Sequence, residues 1–346
     1  MRRYLSLVSV LALPLFVAAT QAPQDTFKNP LLPSGADPWV MTYHGKYYYM
    51  NTTGRNLTIW KTGDITDLAN ATKKVVWTPP ATGPYSRDIW APELHRFDDK
   101  WYIYFAADDG ENSTHRIYVL ENTTEDPLSD NWTFKDEVAD STNKWAIDAS
   151  AFESHGRKYL IWSGWEGDVN GSQEIYIARL SNPWTISSPR VMLSSPKYPW
   201  ERVFTNPEKP NSPHVLVNEG PEILQHKDKI FLVYSASGCW TDDYELGVLE
   251  ADANADLLNP RSWTKFDHPF FKQDPKVMVF GTGHNGFFKS LDGKEDWIIY
   301  HANAESGDGC GGTRSPRIQK FTWNADGTPK FGTPVSTDTV LVKPSH

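Results

Sequence analysis

After its first 22 residues this chain has no long apolar run, and nothing in it approaches the roughly 20 consecutive apolar residues that cross a bilayer. No membrane partner is expected. Basic clusters are missing as well: 34 Lys and Arg are scattered among 43 Asp and Glu, for a formal charge of −9. That balance excludes a nucleic-acid or anionic-membrane partner and suits a neutral or weakly charged substrate. Cysteine is nearly absent, with only Cys239 and Cys310. Helical periodicity is also lacking over any useful length, and no Pro/Ser-rich linker divides the chain. An all-β single domain over residues 23–346 is the reading these absences leave.

The first 22 residues, MRRYLSLVSVLALPLFVAATQA, combine two arginines, an apolar run too short to span a membrane and small residues around Ala19 and Ala22. They read as a signal peptide, residues 1–22, and predict a secreted, extracellular protein. In that oxidising setting Cys239 and Cys310 are expected to be bridged, since each follows the hairpin run of one of two neighbouring repeats. Sequons stand at Asn51, Asn56, Asn70, Asn112, Asn122, Asn131 and Asn170, so several glycans are expected on that half of the surface. Aromatic residues reach 13%, more than a core of this size requires, and their flat faces suit sugar rings.

One phrase recurs five times: HGKYYYMNT from His44, DDKWYIYFAAD from Asp98, HGRKYLIWSGW from His155, KDKIFLVYSAS from Lys227 and GKEDWIIYHAN from Gly293. Each is a tight polar turn followed by a β-branched and aromatic run, the grammar of a hairpin leading into a buried strand. Recurrence at intervals of about 54 to 72 residues predicts a five-bladed β-propeller with a central active-site pocket. A β-sandwich would not repeat one hairpin at blade-length spacing.

In a propeller the innermost strand of each blade lines the channel. Those strands read GADPWVM, DIWAPELHRF, AIDASAFES, NEGPEILQH and GTGHNGFFKS. Counting back ten residues from Lys100, Lys158, Lys229 and Lys294 lands on Trp90, Asp148, Glu219 and His284, and nine from Lys46 on Asp37. Three acids sharing a register on one axis mark a site, because unpaired buried carboxylates are costly in a purely structural channel. Glycosidic hydrolysis needs one carboxylic acid to protonate the leaving oxygen and a second carboxylate to act across the ring. Asp37 and Glu219, on blades one and four, face each other across the channel. That placement suits the wider separation of about 6.5 to 9.5 Å that admits a water and inverts the anomeric centre. Asp148, on blade three, can raise the acid's pKa and orient Glu219. Glu222, deeper on the same strand, competes for the role of acid only on register.

Together GADPW, DIWAPEL, AIDASAF, NEGPEIL, GTGHNGF and TRSPRIQKF resemble glycoside hydrolase family 43, over essentially the whole mature chain. The resemblance implies that Asp37 is the general base, Asp148 the orienting acid and Glu219 the general acid. It also implies a pocket arginine, matched by Arg314 with Arg317 as a competitor. Trp90 would stack on the sugar, Trp165 in WSGWEG is expected to bind substrate, and Glu166 beside it is a candidate for the pocket rim that reads more simply as a solvated loop residue. His284 matches a family histidine that in some members meets a metal through water, so a structural Ca²⁺ in the channel is conceivable while no cofactor is required.

The closest likeness is to exo-acting α-L-arabinofuranosidases of 1,5-linked arabinan. The expected partner is therefore an arabinose-containing polysaccharide or oligosaccharide, bound by a monomer. A β-xylosidase, an arabinoxylan arabinofuranohydrolase and an endo-arabinanase stay open within the family. A non-catalytic glycan-binding propeller is the reading from another class. It is weakened by axial residues that differ from blade to blade, where a lectin would repeat one.

Overall fold

A computed structural model describes residues 25–346, and the leader expected over residues 1–22 lies outside them. Each repeated phrase forms the turn and second strand of a four-stranded antiparallel blade, because alternating aromatic and branched residues bury both faces of these strands between neighbours. The blades start at Trp39–Tyr43, Arg87–Phe97, Ala146–Ser154, Leu216–His226 and Phe280–Lys289. Each of these innermost strands touches the next, and the fifth touches the first, so they ring a channel. Blades three and four are also joined by a short parallel pairing of Ser172 with Leu216 and Gln173 with Val217.

The core is divided into five wedges, one between each pair of adjacent blades. Between blades one and two lie Trp39, Met50, Leu94, Trp101 and Phe105; between five and one, Val40, Tyr49, Phe288, Trp297 and Ile318. Most of the aromatic excess is spent here.

The ring closes without exchanging a strand between blades. Thr26–Phe27 pairs with Leu341–Val342, and the Asn29 side chain exchanges two hydrogen bonds, of 2.9 and 3.0 Å, with the Ile318 backbone. Leu31 and Gly35 then donate their N–H groups to the carbonyls of Pro316 and Arg314. The segment leading to Asp37 is thus laid along blade five before it enters blade one.

The counted register needs one correction. Asp37, Ala91, Asp148 and Gly220 hold equivalent left-handed positions (φ 54°, 42°, 55° and 54°), with His284 (φ 49°) as the fifth. Glu219 and Trp90 each stand one residue earlier. Bulges interrupt the innermost strands at these points, and an extra residue in a bulge is invisible to counting along the sequence. Non-glycine residues in this region are strained, which fits a functional rim. Two sequons also prove unsuited to a glycan as placed: Asn51 is buried, and Asn122 is fully buried with its amide bonded to Ser129 Oγ. Asn70, Asn112, Asn131 and Asn170 are exposed.

Candidate active site

Asp37 sits where blade five's loop meets blade one. Its Oδ2 accepts the Thr52 hydroxyl at 2.6 Å, and its Oδ1 accepts Arg314 Nη1 at 3.0 Å and lies 3.3 Å from His284 Nδ1. Its backbone N–H donates to His301 Nδ1 at 3.1 Å, which assigns the imidazole proton to Nε2. Burial works against ionisation here. Arg314, followed by His284 and the Thr52 hydroxyl, nevertheless holds the carboxyl well below the usual range. Asp37 is therefore a carboxylate at every working pH, as a base must be.

Arg314 is delivered by the loop that follows the second strand of blade five. Gly311 carbonyl accepts both its backbone N–H and its Nε–H, and Asn303 donates to the Gly309 carbonyl at 2.9 Å. Cys310, in the same loop, is bridged to Cys239 of blade four, as expected, with a Cα separation of 5.2 Å. The crosslink spans 71 residues, a constraint worth on the order of 4 kcal/mol in the chain-entropy model. Arg317, the competitor, is fully buried in the wedge beside Tyr300 and makes no contact with Asp37.

Asp148 and Glu219 are coupled through the backbone, since Gly220 N–H donates to Asp148 Oδ2 at 3.0 Å. Burial, opposed by His284 and assisted by the charges of Glu219 and Asp37, pushes Asp148 up to about 7. Burial also carries Glu219 up to about 7, opposed by the Tyr244 hydroxyl and assisted by Asp37. Glu219 keeps a partly accessible edge on the channel while Asp37 and Asp148 are covered. One site thus holds an ionised carboxylate and a protonated one, the division that acid–base cleavage of an acetal requires.

Glu222 is separate from this group. It lies further along the channel with Glu93, His95 and Ser150, where Ser150 Oγ donates to it at 3.0 Å and burial raises both glutamates well above their usual range. A cavity of about 400 Å³ opens at that opposite end, walled by Trp39, Phe152 and Phe287, away from the three carboxylates.

Trp90 is partly accessible and stacks on His115 with ring centroids 4.1 Å apart; Asp108 braces His115 at 3.1 Å from behind. Trp165, expected to bind substrate, is buried and stacked on Trp145 at 4.8 Å, in the small cluster against which Trp90 packs. His284 Nδ1 is turned to Asp37, and among the described residues no three His, Cys, Asp or Glu side chains are grouped to hold a metal.

Three residues of the site were not singled out from sequence: Thr52, His301 and Tyr244. His301 had a signal. The fifth hairpin ends in YHAN, where the second, third and fourth end in AAD, SGW and SAS, so a polar side chain replaces a small one facing the channel.

The profile of the family described as "Glycosyl hydrolases family 43" matches residues 27–329. The chain belongs to glycosyl hydrolase family 43. This family 43 hydrolase is similar to the "Extracellular exo-alpha-(1->5)-L-arabinofuranosidase" of Streptomyces avermitilis, 38% identical over 97% of this chain and 70% of that protein. It also resembles "Alpha-L-arabinofuranosidase 43" of Humicola insolens, 36% identical over 92% of this chain, of whose length it spans 65%. Among solved structures, the α-L-arabinofuranosidase of Lactobacillus brevis superposes with a TM-score of 0.83 at 35% identity, covering 90% of this chain and 98% of that one.

The two raised carboxyls set the pH behaviour of the hydrolase. With Asp37 as base and Glu219 as acid, the roles the resemblance implies, kcat/KM is expected to stay level through mildly acidic pH and to fall about tenfold per unit above about pH 7. Asp148 titrates with Glu219, so the limb belongs to the pair. A fall beginning at about pH 4 to 5, where an ordinary glutamate ionises, would contradict the assignment.

Proposed function

We propose that this family 43 hydrolase is a secreted, inverting, exo-acting α-L-arabinofuranosidase that removes terminal L-arabinofuranose from 1,5-linked arabinan. The names of the relatives supply the sugar and the linkage. The observation that carries the mechanism is the placement of an arginine-bound carboxylate, Asp37, and a second carboxyl, Glu219, whose burial favours its protonated form, on blades one and four of the same ring.

In this reading Asp37 takes a proton from a water on the far side of the anomeric carbon, and that water adds as the glycosidic bond lengthens. Glu219 gives its proton to the departing oxygen. Asp148 fixes the backbone under Glu219 through the Gly220 N–H, while burial, assisted by the charge of Asp37, keeps the acid protonated. Trp90 offers an apolar face to the ring, and Thr52 ties its strand to the base by donating to Asp37 and accepting Ala91 N–H at 2.7 Å.

Purified protein acting on linear 1,5-arabinan should release free arabinose from the earliest time points. Proton NMR in the first minutes should show β-L-arabinofuranose before mutarotation, since a single displacement inverts the α linkage. First appearance of the α anomer, or arabinose transfer to added methanol, would make Asp37 a nucleophile. Oligosaccharides without arabinose as early products would mean internal cleavage.

A further inference from the structure

Between Val191–Ser194, the outer strand of blade three, and Leu216, where the innermost strand of blade four begins, the chain makes a detour over residues 195–215. Hydrogen bonds stitch this detour to the channel mouth beside Glu219. Val203 N–H donates to Ser237 Oγ at 3.1 Å, and the Val203 carbonyl accepts Gly238 N–H at 2.9 Å. Ser237 N–H in turn donates at 3.2 Å to the carbonyl of Val217, which precedes Glu219 by two residues, about 7 Å of strand. On its other side the detour reaches blade five. Asn206 Nδ2 donates to the carbonyls of Trp240 and Gly307, and Lys209 Nζ donates to that of Asp308, in the loop that carries Cys310 and Arg314.

From Phe204 to His214 the detour curls round a hollow of about 230 Å³. Its walls are Phe204, Pro207, Pro210 and His214, with the Phe204 and His214 rings 5.3 Å apart and 47° between planes. Phe204 is half-buried and His214 exposed, so the rings are not turned in against blade four as packing alone would have them. The curl is nonetheless fixed. Lys209 N–H donates to the Asn206 carbonyl at 3.0 Å and Ser212 N–H to that of Lys209 at 2.9 Å. The Trp240 indole N–H holds the Phe204 carbonyl at 2.7 Å from a ring laid on Gly238, where a Cβ would stand 2.3 Å from Cε2 and only glycine leaves room. The lysine in the lining directs its ammonium at the Asp308 carbonyl. Flat apolar faces with the hydroxyls of Thr205 and Ser212 among them suit the C–H faces and hydroxyls of a neutral sugar.

We propose that this hollow is a subsite for the departing part of the substrate, holding the second arabinofuranose residue beyond the cleaved bond. The inference rests on Glu219 being the general acid. A carboxyl that hands its proton to the departing oxygen must touch that oxygen, so the departing chain sets out from blade four, and the loop stitched there is what it meets next. The first departing residue lies over Glu219 itself. The hollow stands further out, by about 7 Å along the strand and two chain widths of about 4.8 Å across it, from Val217 to Ser237 to Val203, which is the reach of the second. A contact so far from the reacting bond is made alike in the bound substrate and in the transition state, so it acts on KM rather than on kcat.

Initial rates on 1,5-linked arabinobiose and arabinotriose test this, because only the triose places a residue in the hollow. The unmodified hydrolase should show a KM about three- to tenfold lower for the triose, with kcat alike within about twofold. Phe204→Ala should erase that step by raising KM for the triose, with the loss confined to substrates of three residues or more and an aryl arabinofuranoside little affected. His214→Ala should act in the same direction, and it supplies the answer if Phe204→Ala does not fold. Equal losses on biose and triose would reduce the loop to a brace for blade four, and a step that survives both substitutions would place the second residue elsewhere; either result overturns the proposal. Glu219→Gln and the unmodified protein, measured alongside, separate the failures. If the unmodified protein releases no arabinose from either oligosaccharide, the arabinan reading has failed. If Glu219→Gln loses equally on arabinobiose and the aryl arabinofuranoside, the acid assignment has failed; if both of these stand and biose and triose are bound alike, only the hollow has.

Discussion

Asp37→Asn is expected to lower kcat on arabinan by about 10³- to 10⁴-fold while leaving the fold in place. The amide matches the carboxylate in shape, so the Thr52 hydroxyl keeps an acceptor and the left-handed backbone is as tolerable for asparagine as for aspartate. Charge is what disappears. A neutral amide cannot take a proton from water, and it leaves Arg314 without the anion it was fixed to meet. Initial rates on linear arabinan, with circular dichroism as a check on the fold, measure the effect. A variant retaining more than about one part in a hundred of the rate would remove Asp37 from the role of base.

Glu219→Gln should be similarly damaging on arabinan, by about 10³-fold or more, and much less so on an aryl arabinofuranoside whose phenol leaves without protonation. The split arises because acid catalysis matters in proportion to how poor the leaving group is. The matching substitution Glu222→Gln supplies the contrast, since that carboxyl is engaged with Ser150 and the Glu93 pair further along the channel. It should leave the ratio of the two activities near that of the unmodified protein. Equal losses on both substrates for Glu219→Gln would place the acid elsewhere.

The five blades were legible because a hairpin's turn and its buried second strand leave the same trace wherever they occur. The three carboxylates were legible because they stand at the mouths of three of the five innermost strands. What the sequence hides is anything decided by one residue of bulge or by the far end of a neighbouring blade. Counting placed Glu219 in the same slot as Asp148, whereas Gly220 occupies it and Glu219 precedes it. Trp165 and Trp90 look alike as tryptophans near loops, and each is stacked on one ring neighbour; only their burial in the folded chain tells them apart. Thr52 and Tyr244 gave no signal, since a threonine closing a hairpin and a tyrosine entering a strand are ordinary on their own. Their meaning comes from Asp37 and Gly283, which lie on other strands. The bridge between Cys239 and Cys310 was readable because propeller neighbours in sequence are neighbours in space.

The seam where blade five meets blade one has a consequence for the order in which this molecule becomes an enzyme. Asp37 and Arg314 are 277 positions apart along the chain, and Asp37 and His301 264, whereas Asp148 meets Gly220 across only 72. Contacts of such span carry the largest loop-closure entropy and form late in folding. Blades two to four can pair with their neighbours as soon as they exist, and with them the acid and its orienting partner. The base acquires its counter-charge only at the closing event, when the Asn29 clamp and the Thr26–Phe27 pairing draw the two ends together. The same contacts tie the chemistry to the closure of the circle, so activity is expected to depend on this seam staying shut as the protein is warmed.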